Sequence, residues 1–221
     1  MDPILTILTV VIPLLIAIVL HELGHGVVAY WCGDRTASYA GRLTLNPIKH
    51  MDPLGSVILP GLLILTSAPF LFGYAKPVPV NQNQLHYPRF QMILVALAGP
   101  GVNLILAFLS AICLIIGWDS SVEHPFIYEA MMYSLRINVI LAIFNLLPLF
   151  PLDGSHVIRN IVPPSILPER FFRAIGVIGI VVLLLSPTWL AYIGLNPAFL
   201  SMSVQSAIHT ILTVAAHFIG T

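Results

Sequence analysis

The residues best equipped for chemistry stand together near the start of the chain, in His21-Glu22-Leu23-Gly24-His25. They read H-E-x-x-H. On a helix, His21 and His25 are one turn apart and share a face. Two imidazoles at that spacing can grip one zinc ion, and Glu22 beside them can take a proton from a metal-bound water. The motif closes an apolar run that begins at about Ile4, which places it in or beside a membrane span. Ionisable side chains are costly there and mark function by default. The competing reading is a polar cluster snorkelling from a helix end.

Zinc held by two histidines needs a third protein ligand and an open position for water. The candidate is Asp153, in Asn145-Leu146-Leu147-Pro148-Leu149-Phe150-Pro151-Leu152-Asp153-Gly154, the only acidic residue near the end of its span. Pro148 and Pro151 would hold the backbone open there. Asp-Gly is also a common turn pair, so a plain helix-terminal turn is the alternative. The presence of H-E-x-x-H weighs against that alternative, because the zinc otherwise lacks a partner.

The elements that must bring these residues together are membrane spans. Of 221 residues, 58% are hydrophobic and 8% charged, and the mean hydropathy is +0.96; a soluble domain carries about a quarter charged residues. The fold class expected is an all-α polytopic membrane protein with about five transmembrane helices, a re-entrant segment and a short β-loop near the zinc site. It forms a single unit over residues 1–221, with a catalytic core over about 4–155 and C-terminal helices over about 171–220. Its partner is the lipid bilayer. The formal net charge is zero, so nothing points to nucleic acid, and no motif specifies an oligomeric state. Asp2 stands where a signal peptide would have a basic region. Cys32 and Cys113 have no C-x-x-C partner and read as small core residues.

In chain order, Ile4 to Leu20 is apolar, with a kink expected at Pro13. Helix is allowed through Tyr30, until Gly33-Asp34 stops it. His21 lies about 25 Å along the helix from Ile4. The hydrocarbon core is about 30 Å thick, so the metal should lie just inside one face. Thr36–Leu45 alternates enough to suggest one or two short strands. Asn46-Pro47 and Asp52-Pro53-Leu54-Gly55 read as turns. Leu54–Tyr74 is long enough to span but is broken by Gly55, Pro60, Gly61, Pro69 and Gly73, and such segments are often re-entrant. Lys76–Asn81 should be extended, because each proline restrains its predecessor. Phe90–Trp118 and Ile127 to about Phe150 are spans. From Ala174 onward there is no formal charge, and Pro187 and Asn196-Pro197 divide that tail into two more.

Charge separates the two possible topologies. If Leu54–Tyr74 crosses fully, the acidic loop at Asp119 falls inside and Lys76 and Arg89 outside. If it dips in and returns, Arg35, Arg42, Lys49, Lys76, Arg89, Arg159, Arg170 and Arg173 are all cytoplasmic, and Asp2, Asp119 and Glu123 all outside. The second arrangement obeys the positive-inside rule. It also runs the His21 and Asn145 helices in the same direction, so both motifs meet near the cytoplasmic face.

At this point the chain resembles the site-2 protease family of intramembrane zinc metalloproteases. H-E-L-G-H is similar to the family's first motif and N-L-L-P-L-F-P-L-D-G to its second. L-N-P-I-K-H-M-D-P-L-G, G-Y-A-K-P-V-P-V-N and A-G-P-G-V-N are further echoes, and the matches run from about His21 to Gly154. The resemblance implies one zinc ion on His21, His25 and Asp153, with Glu22 as catalytic base. It implies that Asn145 contacts substrate or the oxyanion, and that a re-entrant β-loop follows the first motif. Substrates would be transmembrane proteins or peptides, cut in regulated intramembrane proteolysis in the cell membrane. Neither the PDZ domain between spans nor the C-terminal nucleotide-sensing domain that some members carry is expected within these 221 residues.

A metal-ion or proton transporter built on the same ligands would not need Glu22 and should carry polar groups along a full path. The polar groups here gather at one face. An inactive scaffold homologue is the other alternative, against which the complete motifs argue. Among other residues, Asn103 sits mid-span and is expected to hydrogen-bond across helices near the site. Gly99 and Gly101 are expected to permit close packing. His156, one turn after Asp153, either orients that carboxylate or starts a solvated helix. His50, His86 and His124 are expected at the surface. Strands near Arg42 would hold an extended substrate by edge addition.

Overall fold

The computed structural model describes residues 3–58, 61–62, 65–66, 74–117, 125–163, 165–166, 168–179 and 199–220. Helix α1 (Ile12–Trp31) carries the first motif. It follows a helical turn, Pro3–Thr6, and a π-helical segment, Ile7–Val11. Pro13 has no amide hydrogen to give the carbonyl four residues back, and the ladder re-registers just before it. The helix stops where expected: Gly33 adopts φ 108°, a left-handed conformation that favours glycine.

The strands expected over Thr36–Leu45 do not form. Thr36–Tyr39 is a short helix, α2, and no strand occurs among the described residues. The cause is Asp34. Its fully buried carboxylate accepts from the Thr36 amide at 2.9 Å and the Thr36 hydroxyl at 2.5 Å, a local side-chain turn that competes with extended backbone. Its other oxygen accepts from the Asn81 amide at 2.6 Å. Arg42 is likewise buried rather than offered at a strand edge. Its guanidinium donates to the carbonyls of Lys49, Lys76 and Pro77. These carbonyls belong to the chain itself, so the edge-addition role expected for this region falls away.

Helix α3 (Pro47–His50) is capped by Asn46, whose side chain accepts from the Ile48 amide. His50, expected at the surface, is buried with Nε2 2.8 Å from the Thr44 carbonyl. The loop folds back over it, which sequence position alone could not convey. His86 is exposed as expected, and His124 lies outside the described residues.

Asp52 accepts from the amides of Leu54 and Gly55 and opens a π-helical segment, Pro53–Ile58. Much of Leu54–Tyr74 lies outside the described residues, but its two ends are informative. The Tyr74 amide donates to the Gly55 carbonyl at 3.1 Å, and the Ser56 hydroxyl to the Tyr74 carbonyl at 2.9 Å. A full helical crossing would separate such ends by about 30 Å. The described ends, Gly55–Ser56 and Tyr74, therefore lie side by side.

Helix α4 (Pro88–Ile116) is the central element, packed by α1, by α5 (Pro125–Asn145), by α6 (Asp153–Ile161) and by α7 (Phe199–Ile219). Small residues let the helices approach. Ala107 and Ala111 of α4 meet Leu135 and Val139 of α5 and Ala215 of α7, and a Cβ on Gly24 would press on Val102 and the Ala98 carbonyl. The outward faces are apolar and exposed, including Leu104, Ile105, Leu109 and Phe218, as a bilayer requires. Among the described residues, four helical stretches are long and apolar enough to cross: Leu8–Trp31, Pro88–Ile116, Pro125–Asn145 and Met202–Ile219. Of the two tail spans expected after Ala174, the first falls largely on residues 180–198, outside those described; residues 169–179 are helical.

Removing the Asp34 carboxylate would orphan three donors around it. Asp34→Ala should destabilise the protein by on the order of 2 kcal/mol or more, read as a lower apparent Tm in detergent. An unchanged Tm would show that the Asp34 turn does not hold the loop layer.

Candidate metal centre

α1 aims its two motif histidines at α4, because the i, i+4 spacing stacks them on one face. Both are buried. α6 begins at Asp153, and the chain reaches it directly from the end of α5 through the proline-rich turn. His21 Nε2 lies 3.1 Å from Asp153 Oδ2, and His25 Nε2 lies 3.3 Å from the same oxygen. The two Nε2 atoms are 3.1 Å apart. Donors bound at about 2.0–2.1 Å to a tetrahedral zinc stand about 3.3 Å from one another. The triangle matches one face of that tetrahedron.

The protonation pattern fits a cation as well. His25 Nδ1 is 2.7 Å from the Val95 carbonyl, and His21 Nδ1 is 2.5 Å from Asn103 Oδ1. Carbonyl oxygens only accept, so each Nδ1 carries its hydrogen and each neutral ring turns the Nε2 lone pair toward Asp153. Asp153 Oδ2 is buried with no hydrogen-bond donor. Among the described residues this is the one cluster of three such side chains with ligand atoms close enough to share an ion.

Room for the cluster comes from α4. A Cβ at Gly99 would collide with both histidine rings, so the expected packing role of that glycine is specific: it makes space for the two imidazoles. Glu22 is anchored from the other side. Its Oε2 accepts from the Val78 amide at 2.8 Å, in the stretch bounded by Lys76 and Asn81. Pro77 and Pro79 flank Val78 and have no amide hydrogen, so this one donor is singled out.

Asn145 donates one amide hydrogen to the Leu141 carbonyl of its own helix at 3.0 Å, and its other amide hydrogen has no partner among the described residues. His156 makes no hydrogen bond to Asp153 among the described residues; its backbone carbonyl accepts from Asn160 at 2.7 Å. Burial pushes its imidazole down from its ordinary pKa. Sequence reasoning placed Asn103 near the site from its isolation in a charge-free span. The Val95 carbonyl and the Val78 amide left no signal, because backbone groups are invisible to residue type.

The sequence model of Peptidase family M50 matches residues 9–131 and 118–186. Among curated proteins, the chain is 43% identical over 161 residues to the Bacillus subtilis protein named "Putative zinc metalloprotease YwhC", covering 71% of this chain and 70% of that one. It is 33% identical over 180 residues to "Putative zinc metalloprotease Rip2" of Mycolicibacterium smegmatis, covering 78% of this chain and 65% of the relative. The Rip2 of Mycobacterium tuberculosis strain H37Rv is 30% identical over 178 residues, with 79% and 65% covered. The chain thus spans about two thirds of the length of these relatives. No solved structure matches it. With both motifs inside the matched region and their histidines and aspartate converging on one point, the chain belongs to Peptidase family M50, the site-2 protease family of intramembrane zinc metalloproteases.

Proposed function

We propose that this protein hydrolyses peptide bonds in or near transmembrane segments of other membrane proteins, with His21, His25 and Asp153 holding one zinc ion and Glu22 as the base. The observation that carries the reading is the set of three inward-facing acceptor atoms, 3.1–3.3 Å apart, on the H-E-x-x-H helix and the Asp153 turn. Bound zinc supplies Lewis acidity, which acidifies a water and polarises a carbonyl.

The chain's own groups do the rest. Glu22 is kept in place through Oε2 by the Val78 amide, and its second oxygen takes the proton that the attacking water gives up. As the water oxygen bonds to the carbonyl carbon and the C–N bond breaks, Glu22 returns that proton to the leaving amine. The free amide hydrogen of Asn145 is suited to the developing oxyanion. A substrate helix hides its backbone in its own hydrogen bonds, so it must unwind locally before Glu22 can act on it.

Orientation follows from charge. The end of α1, the start of α4 and the start of α6 lie at one face, joined by the His86 amide on the Cys32 carbonyl and by Asp153 on the histidines. That face carries Arg35, Lys49, Lys76, Arg89 and Arg159, and the positive-inside rule supports a cytoplasmic orientation for it.

Purified wild-type protein should cleave a tagged single-span membrane protein, and a zinc chelator should stop it. Glu22→Gln should lower cleavage at least about 100-fold with zinc still bound; equal cleavage by both would remove Glu22 from its role. Gly99→Ala pushes a methyl group into both histidine rings and should weaken zinc binding about tenfold or more, measured by competition with a chromogenic chelator. Unchanged affinity would mean that the rings need no cradle from α4.

A further inference from the structure

The centre of the bundle holds a chain of buried amides that no step of the hydrolysis uses. Asn103 of α4 and Asn138 of α5 are 0% and 1% exposed, so water cannot satisfy them. Two uncharged amides in the apolar heart of a membrane protein are expensive unless every hydrogen bond is made. Here the bonds form a sequence with a direction. Asn138 donates to the Ser134 carbonyl at 2.9 Å. A backbone carbonyl only accepts, so this contact turns the Asn138 Nδ2 toward its own helix and the Oδ1 outward. That oxygen accepts from Asn103 Nδ2 at 2.7 Å. Asn103 Nδ2 also reaches the Ala17 carbonyl of α1 at 3.4 Å, a second acceptor-only group that enforces the same orientation. With both donors committed, Asn103 can present only Oδ1 to His21 Nδ1. The hydrogen must then sit on Nδ1, and the Nε2 lone pair faces Asp153 and His25.

We infer that Asn138 and Asn103 are positioning residues that set the tautomer and ring orientation of His21 for metal binding. The polarity is relayed from a backbone carbonyl of α5, through two amides, to the ligand nitrogen. His25 needs no such relay, because the Val95 carbonyl meets its Nδ1 directly. Asn103 stands where α1, α4 and α5 come together, so the relay also ties the ligand's orientation to correct docking of three helices.

The inference rests on the zinc reading above, and the test separates the two. Zinc affinity is measured on the detergent-purified full chain by chelator competition, beside the Tm of the metal-free protein. Asp153→Asn and wild type come first: no zinc bound by wild type would overturn the zinc reading itself. Given zinc binding, Asn103→Leu should lose about 10- to 100-fold in affinity, with a smaller loss for Asn138→Leu, because the Ala17 contact still steadies Asn103. Asn103→Asp keeps an acceptor for His21 and should bind zinc as tightly as wild type. Asn138→Leu placed on top of Asn103→Leu should cost nothing more, since the relay is already cut. A purely structural role would lower Tm in every variant and leave affinity unmoved. Should Asn103→Leu fail to fold, Asn103→Ala, which adds no bulk, takes its place. Wild-type affinity in the folded Asn103 variants, or additive losses in the double variant, would overturn the relay.

Discussion

Three lone-pair-bearing atoms held within 3.3 Å of one another repel each other unless a cation lies among them. His21, His25 and Asp153 are set in this arrangement from two separate elements, and the rest of the architecture reads as what keeps them there. α1 supplies two of the atoms because its histidines are one turn apart. α6 supplies the third because the proline-rich turn after α5 delivers Asp153 to the same face. α4 makes room by having no side chain at Gly99. It also fixes both rings from behind, through the Val95 carbonyl and the Asn103 amide.

Such a site cannot be built from apolar packing alone. The bundle is held by small residues at helix contacts and by dispersion, as is usual where lipid removes the hydrophobic driving force between helices. Two of the polar groups inside it are paired in a way that also orients a neighbour: Asn103 meets the His21 ring, and Asn138 meets the Asn103 amide. At the membrane face the same economy appears in the loops. Asp34 and Arg42 are buried, each meets groups of this chain, and together they tie the segments after α1 to the stretch around Val78. Since the Val78 amide anchors Glu22, the loop layer and the proposed base are mechanically one unit.

Much of this was legible from residue types. H-E-x-x-H on an apolar helix and Asp153 after a proline-broken span specify a metal site, because chemistry needs those donors and the membrane penalises them otherwise. Apolar run lengths specify spans, and helix stops at Gly33 follow from backbone freedom. Charge distribution favoured a dipping Leu54–Tyr74 over a crossing one, and the Gly55–Tyr74 hydrogen bond agrees. The strand expectation at Thr36–Leu45 failed for a physical reason. Weak alternation says which faces a segment would present if it were extended, but not that a buried Asp34 carboxylate two residues upstream of Thr36 would reward a helical turn instead. His50 failed similarly, because burial of a loop depends on what folds over it.

The sequence by itself determined which atoms could bind a metal: two histidines on a membrane-spanning helix and an aspartate just beyond the end of another. These properties are local: they depend on spacing along a helix, on run length and on the cost of charge in lipid. Only the tertiary structure decided which nitrogen of each histidine is free, since that depends on what stands behind the ring. The Val95 carbonyl, the Asn103 amide and the Asn138 amide behind it come from positions 70 to 117 residues away from the histidines they face. A hydrogen bond between such distant positions, half of it made by backbone, has no periodicity or motif to announce it.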